Sequence, residues 1–135
     1  MKYINILIAL IILTSAAAIG SANTGGIGSL WDVISLAIVV APAYFLTAAA
    51  ANSYNFFKDK KSILLFGELC WGFGLIGTFI GFIFMCAGMA MPAPPEADFI
   101  ATLVSNLAIA LIPLLYGLIF KYFFALPWVH SIKED

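Results

Sequence analysis

Arginine is absent from the sequence, and charged residues of every kind make up only 10% of its 135 residues. The basic residues are all lysine and the formal net charge is −1, which argues against nucleic-acid binding because that function needs a basic face. At 64% hydrophobic residues and a mean hydropathy of +1.09, the chain has too few polar groups to cover a soluble domain. We therefore predict an integral membrane protein with a single transmembrane domain over residues 1–135.

Reactive and metal-binding side chains are equally scarce. Cys70 and Cys86 fall in one apolar segment, where a helix would hold them about 24 Å apart and exclude a disulfide between them. The single histidine lies near the C-terminus, and we expect no metal, no cofactor and no enzymatic activity. No Asp, Glu, Lys or His lies centrally in an apolar segment, so the chain offers no carboxylate of its own for a proton relay. A small four-helix exporter is disfavoured for the same reason, because such a carrier needs a charged group to bind its coupling proton.

Four apolar segments are long enough to cross a bilayer as helices, which takes about 20 residues. They occupy approximately residues 3–22, 33–57, 63–91 and 99–126. The first segment also has features of a secretory signal peptide, namely Lys2 before the apolar run and small residues in "AIGSAN" after it, but its length favours a retained span. The three prolines of "MPAPPEAD" cannot continue a helix, so the third and fourth segments are predicted to form a tight antiparallel hairpin.

The lysines orient these four predicted helices. All lysines lie on one side of the membrane if both termini are cytoplasmic: Lys2, Lys58, Lys60, Lys61, Lys121 and Lys133. The two outer connections contain no lysine and carry Asp32, Glu96 and Asp98. Since cytoplasmic loops are enriched in lysine, we predict that both termini of this all-α protein lie in the cytoplasm.

Small residues and one threonine share a face of the third segment. Gly74, Thr78 and Gly81 recur at three- and four-residue spacing, and Gly77 and Gly81 form a GxxxG pair. Small residues allow close helix approach in lipid, so Gly74, Gly77 and Gly81 are candidate packing residues. Thr78 has two interpretations of equal weight: a hydroxyl bonded to its own helix, or a group that lines an ion path.

The fourth segment has a second face of this kind, which contains Thr102, Asn106, Ala110, Pro113 and Gly117. Proline has no N–H, so the carbonyl of the residue four positions earlier loses its helical partner. Such a carbonyl is tolerated where protein, water or an ion satisfies it. Asn106 and Pro113 are therefore candidates for a hydrated path, the alternative being a structural kink, and Gly117 is a candidate packing residue.

These two segments resemble a known family. "GFGLIGTFIGFIFM" followed by "LAIALIPLLYGLIFKYFFALPW" is similar to the MotA/TolQ/ExbB proton-channel family, in particular its MotA branch. "GGIGSLWDVISLAIVVAPAYFLTAAA" resembles the second helix of that branch more weakly. Thr78 matches the family's pore-lining threonine, Tyr116 and Gly117 match its Tyr-Gly pair, and Pro127 matches the proline at the cytoplasmic end of helix four.

The resemblance implies a homo-oligomeric ring of five subunits in a bacterial inner membrane, with the last two helices lining a central pore. The pore would hold a single-helix partner of the MotB/ExbD type, which brings the ion-binding aspartate. Such stator subunits couple proton flow to mechanical work. Thr78, Asn106, Pro113 and Tyr116 would then lie along the ion path.

Departures from the family pattern keep an alternative open. Motor stators of the family commonly have a proline at the position of Trp71. They often have a Thr-Thr pair, associated with sodium passage, at the positions of Pro113 and Leu114, and the absence of this pair disfavours sodium as the ion. The large cytoplasmic domain of flagellar stators is absent between the second and third segments. The alternative is a non-conducting scaffold subunit of a membrane complex. Glu68 and Lys121 lie near cytoplasmic helix ends, and interfacial snorkelling is the favoured interpretation of Lys121.

The lysine distribution makes a direct prediction about topology. Single cysteines introduced at Asn23 and Pro94 should react with a membrane-impermeant maleimide added from the periplasmic side. Labelling of position 23 only from the cytoplasmic side would contradict the four-helix topology.

Overall fold

The computed structural model describes Ile11, residues 32–89 and residues 98–132, and all regular structure within these ranges is helical. Three helices there are long and apolar enough to cross a membrane: Val33–Ala51, Lys60–Gly88 and Phe99–Ser131. They correspond to the second, third and fourth predicted segments. The first predicted segment, residues 3–22, lies outside the described residues except for Ile11, as do both termini and residues 90–97.

Helix α1 spans Val33–Ala51. It begins at Asp32, whose carboxylate accepts a hydrogen bond from the Ile34 N–H at 3.0 Å and so satisfies a free donor of the first turn. It ends at Asn52, which adopts the left-handed conformation with φ of 49°. The predicted end at residue 57 was therefore wrong, because asparagine readily takes this conformation and ends the helix, and a short 3-10 turn at Phe56–Lys58 follows.

Helix α2 spans Lys60–Met89 and begins three residues earlier than predicted. The Asp59 carboxylate explains the early start, since it accepts hydrogen bonds from the Ser62 N–H at 3.0 Å and from the Ser62 hydroxyl at 2.6 Å. With 30 residues, α2 is about 45 Å long at 1.5 Å per residue, and it exceeds the roughly 30 Å of a bilayer's hydrocarbon layer.

Helix α3 spans Phe99–Ile119 and is capped by the Asp98 carboxylate. The predicted end of the fourth segment at residue 126 was wrong, because helical backbone continues through a π-helical segment, Phe120–Ala125, into α4, Leu126–Ser131. Pro127 lies in the first turn of α4, directly after the π-helical segment. The proline is thus accommodated within the continuing helix.

Helices α2 and α3 form the most extensive contact of the fold. A Cβ atom built on Gly74 would lie 2.8 Å from the Pro113 carbonyl oxygen, and one built on Gly117 would lie 2.7 Å from the Cys70 carbonyl oxygen. A Cβ atom on Gly81 would lie 2.9 Å from the Cα atom of Ala110. The two backbones are therefore in direct contact, as glycine allows.

Helix α1 packs across α2 and α3 through a face of small and β-branched side chains. Its buried members are Ser35, Val39, Ala43, Thr47 and Ala48. The Thr47 hydroxyl donates to the Ala43 carbonyl at 2.7 Å, so this buried polar group is satisfied within its own helix. The face continues the core that α2 and α3 begin.

Aromatic rings join the helices at the end where the lysines lie. The rings form a continuous chain of contacts: Phe56, Phe57, Phe66, Phe120, Phe124 and Trp128. The Trp128 indole N–H also donates to the Phe57 carbonyl at 3.1 Å. The end of α4 is thereby tied to the connection between α1 and α2.

The close contact of α2 and α3 predicts opposite effects of adding one methyl group to two neighbouring glycines. Gly74→Ala should destabilise the protein by about 1–3 kcal/mol, because the new methyl would overlap the α3 backbone. Gly72→Ala is the matched control, since a Cβ at that position meets nothing within 4 Å and alanine favours a helix. SDS titration of the full-length protein in mixed micelles, followed by circular dichroism, measures both. Equal stability of the two variants would contradict the packing described here.

Candidate functional site

A cleft of about 330 Å³ lies where α1 crosses α2 and α3. We call it the Asn106 cleft. Four candidate residues from the sequence line it: Gly77, Gly81, Asn106 and Pro113. The remaining lining residues are mostly apolar: Ile34, Ser35, Ile38, Ile80, Phe84, Met85, Ile109 and Ala110. The structure thus brings together the packing glycines of α2 and the polar and proline positions of α3.

Asn106 is the polar centre of this cleft. Its side chain is half-buried and makes no hydrogen bond within the described part of the chain. An amide in apolar surroundings is costly unless it finds a partner. Ile109 lines the same cleft, and Pro113 has no N–H to offer to the Ile109 carbonyl. The Asn106 amide therefore has no partner among the described residues, and Pro113 deprives the Ile109 carbonyl of its usual helical partner.

Thr78 lies outside this cleft. Its side chain is 6% exposed, and its hydroxyl donates to the Gly74 carbonyl at 3.0 Å. This is the geometry of the first interpretation of Thr78, a hydroxyl bonded to its own helix. The arrangement satisfies the hydroxyl fully without water, an ion or another chain.

Tyr116 and Gly117 also lie in the core. The Tyr116 side chain is 9% exposed, and its hydroxyl oxygen accepts a hydrogen bond from the Asp32 N–H at 3.0 Å. Gly117 contacts the α2 backbone at Cys70. The structure therefore separates the four predicted ion-path residues, with Asn106 and Pro113 at the cleft and Thr78 and Tyr116 packed between helices.

The sequence reasoning missed the role of Asp32 and Ser35. Asp32 was assigned to an outer loop, but its carboxylate accepts hydrogen bonds from the Ser35 hydroxyl and the Ile34 N–H. Ser35 in turn lines the Asn106 cleft. An aspartate directly before an apolar run is a known helix-start pattern, and this signal places Asp32 at the beginning of α1.

Glu68 and Lys121 form an ion pair between α2 and the π-helical segment. The ammonium nitrogen of Lys121 lies 2.9 Å from a Glu68 carboxylate oxygen, and it lies 5.7 Å from the ring centroid of Tyr122. Lys121 therefore has a charged partner inside the chain. Within the described ranges, no group of His, Cys, Asp or Glu side chains is arranged to hold a metal ion.

Comparisons with protein-family models, with curated proteins and with solved structures found no match to this chain.

The hydrogen bond of Thr78 predicts a small effect of removing its hydroxyl. Thr78→Val should change the free energy of unfolding by no more than about 1 kcal/mol, because the valine keeps the side-chain shape and leaves no donor unpaired. Thr78→Ala should cost roughly 1 kcal/mol more, since it also removes a buried methyl group. SDS titration measures both changes. A stable Thr78→Val variant that loses proton-driven activity would instead assign the hydroxyl to an ion path.

Proposed function

We propose that this chain is a stator-type subunit of an ion-driven motor in a bacterial inner membrane. Copies of the chain would form a ring of five around a single-helix partner of the MotB/ExbD type. The partner would bring the aspartate that binds the proton, and proton flow would drive mechanical work on the periplasmic side. The missing cytoplasmic domain favours such an outward task over contact with a flagellar rotor.

The observation that carries this proposal is the amide of Asn106, which has no hydrogen-bond partner among the described residues and lies in a cleft between three apolar helices. An amide at this position is stabilised by water or by a polar group on another helix. A partner helix seated along α3 would supply such a group, or the water that accompanies it. The freed carbonyl of Ile109, one turn further along α3, extends the same polar track.

The distribution of charge supports a titrating group that comes from outside the chain. Residues 69–88 of α2 and residues 99–120 contain no Asp, Glu, Lys, Arg or His. Glu68 and Lys121, at the edge of this region, are paired with each other. A carboxylate that exchanges protons at membrane depth would therefore belong to the partner.

A non-conducting scaffold subunit is the second candidate, and a specific observation favours it. The glycine face of α2 is occupied by α3 of the same chain, and the Thr78 hydroxyl is satisfied by Gly74. Both features serve packing within the subunit. In that case the Asn106 amide would meet another subunit of a complex rather than an ion path.

A photo-crosslinking experiment separates the two candidates. A photoreactive amino acid replaces Asn106 in the full-length protein, which is expressed in its own host and irradiated in intact cells. Position 45 is the matched control, since Phe45 of α1 is 62% exposed and is not among the residues that line the cleft. We expect position 106 to capture a small protein with one membrane helix that carries an aspartate, while position 45 does not.

Two results would overturn the stator proposal. Capture of only a multi-helix membrane protein at position 106 would favour the scaffold. Equal crosslinking at positions 45 and 106 would show that the cleft has no dedicated partner.

If the single-helix protein is captured, Asn106→Leu should reduce proton uptake by vesicles that contain both proteins, because leucine removes the polar group and narrows the cleft.

A further inference from the structure

A second cavity lies at the opposite end of the helices, where the lysines cluster. It has a volume of about 660 Å³ and is formed by the end of α1, the 3-10 turn and the beginning of α2. We call it the lysine-end cavity. Its polar wall includes Ser53, Asn55, Lys58 and Lys61, and its apolar wall includes Ala50 and Leu65. The cavity is therefore positively charged on one side and apolar on the other.

The lysines of this cavity are available to a ligand. Lys58 and Lys61 are both exposed, and neither forms a salt bridge within the described residues. Two ammonium groups at the rim of one cavity attract an anion, and phosphate oxygens are common partners of lysine.

Asp59 also lines the cavity, but its carboxylate is engaged elsewhere. The Ser62 hydroxyl and N–H both donate to it, at 2.6 Å and 3.0 Å. These hydrogen bonds lower the pKa of Asp59, and the bond from the Ser62 hydroxyl has the largest effect. The nearby Lys61 lowers this pKa further. The aspartate thus remains a helix cap, and the two lysines leave the cavity wall with a net positive charge.

The apolar wall of the cavity continues along the exposed surface of α2. Leu65 is 37% exposed and Leu64, beside it, is 41% exposed. These side chains lie one turn beyond Lys61, at the start of a helix that is long and apolar enough to cross the membrane. A ligand that fills the cavity therefore meets positive charge at one end and hydrocarbon-like surface at the other.

We propose that the lysine-end cavity binds one anionic phospholipid of the cytoplasmic leaflet, with its phosphodiester between Lys58 and Lys61 and an acyl chain along Leu65. Basic cavities at the cytoplasmic ends of membrane helices suit lipid headgroups of this kind. The site is independent of ion conduction and serves a stator subunit and a scaffold subunit equally. A bound lipid would fix the level of the loop between α1 and α2 at the membrane surface.

Native mass spectrometry of the full-length protein, released from nanodiscs, tests this site. We expect one phosphatidylglycerol per chain to be retained and phosphatidylcholine to be lost. The double variant Lys58→Gln/Lys61→Gln should bind phosphatidylglycerol roughly tenfold or more weakly. Lys2→Gln/Lys133→Gln removes the same charge at two positions outside the loop between α1 and α2, and it should bind within about twofold of the wild type.

Two further arms keep the test decisive. Ala50→Trp fills the cavity without changing the charge, and it should weaken lipid retention while circular dichroism still shows the wild-type helix content. Glycerol 1-phosphate, which has the phosphate but no acyl chains, should not displace the lipid at millimolar concentration. Equal loss of lipid in both double lysine variants would show diffuse attraction and overturn the site. Displacement by glycerol 1-phosphate would identify a soluble phosphate ligand and overturn the lipid assignment.

Discussion

Direct contact between the backbones of α2 and α3 is the constraint on which the rest of the structure depends. Lipid surrounds membrane helices with hydrocarbon, so helices gain little from hiding apolar side chains and associate through close packing instead. Three reciprocal pairs provide that packing: Gly74 with Gly117, Gly77 with Pro113, and Gly81 with Ala110. The steps of three and four residues on both helices keep every pair on one line of contact.

The same line of contact explains why the cleft lies where it does. One turn beyond the Gly81–Ala110 pair, α3 presents Asn106 and α2 presents Met85, and both line the cleft. Neither side chain is small enough to continue the backbone contact, so the helices no longer exclude other groups there. The candidate functional site therefore runs beside the last two packed pairs and continues past them to Asn106 and Met85.

The sequence predicted the contact of α2 and α3 better than it predicted the helix ends. The spacing of glycines within one helix can be read directly from the sequence. The residue at which a helix ends, in contrast, depends on local hydrogen bonds. Asn52 ends α1 by adopting a left-handed conformation, and Pro127 continues a helix because a π-helical segment precedes it. The burial of Thr78 could not be derived either, since only the position of α3 decides which face of α2 is covered.

The sequence also did not predict how far the helices are shifted along one another. This shift distinguishes the two ends of the molecule. The hydrogen bond from the Asp32 N–H to the Tyr116 hydroxyl fixes the start of α1 near Tyr116. Tyr116 lies about 25 Å along α3 from Phe99. The described ends of α2 and α3 therefore extend beyond the start of α1, and Phe84 and Phe99 are exposed there at 71% and 63% among the described residues. At the lysine end, in contrast, the aromatic rings and the Trp128–Phe57 hydrogen bond hold the described helices together. Among the described residues, one end of the helix bundle is thus fixed by contacts within the chain, while the other end presents exposed apolar side chains and the Asn106 cleft.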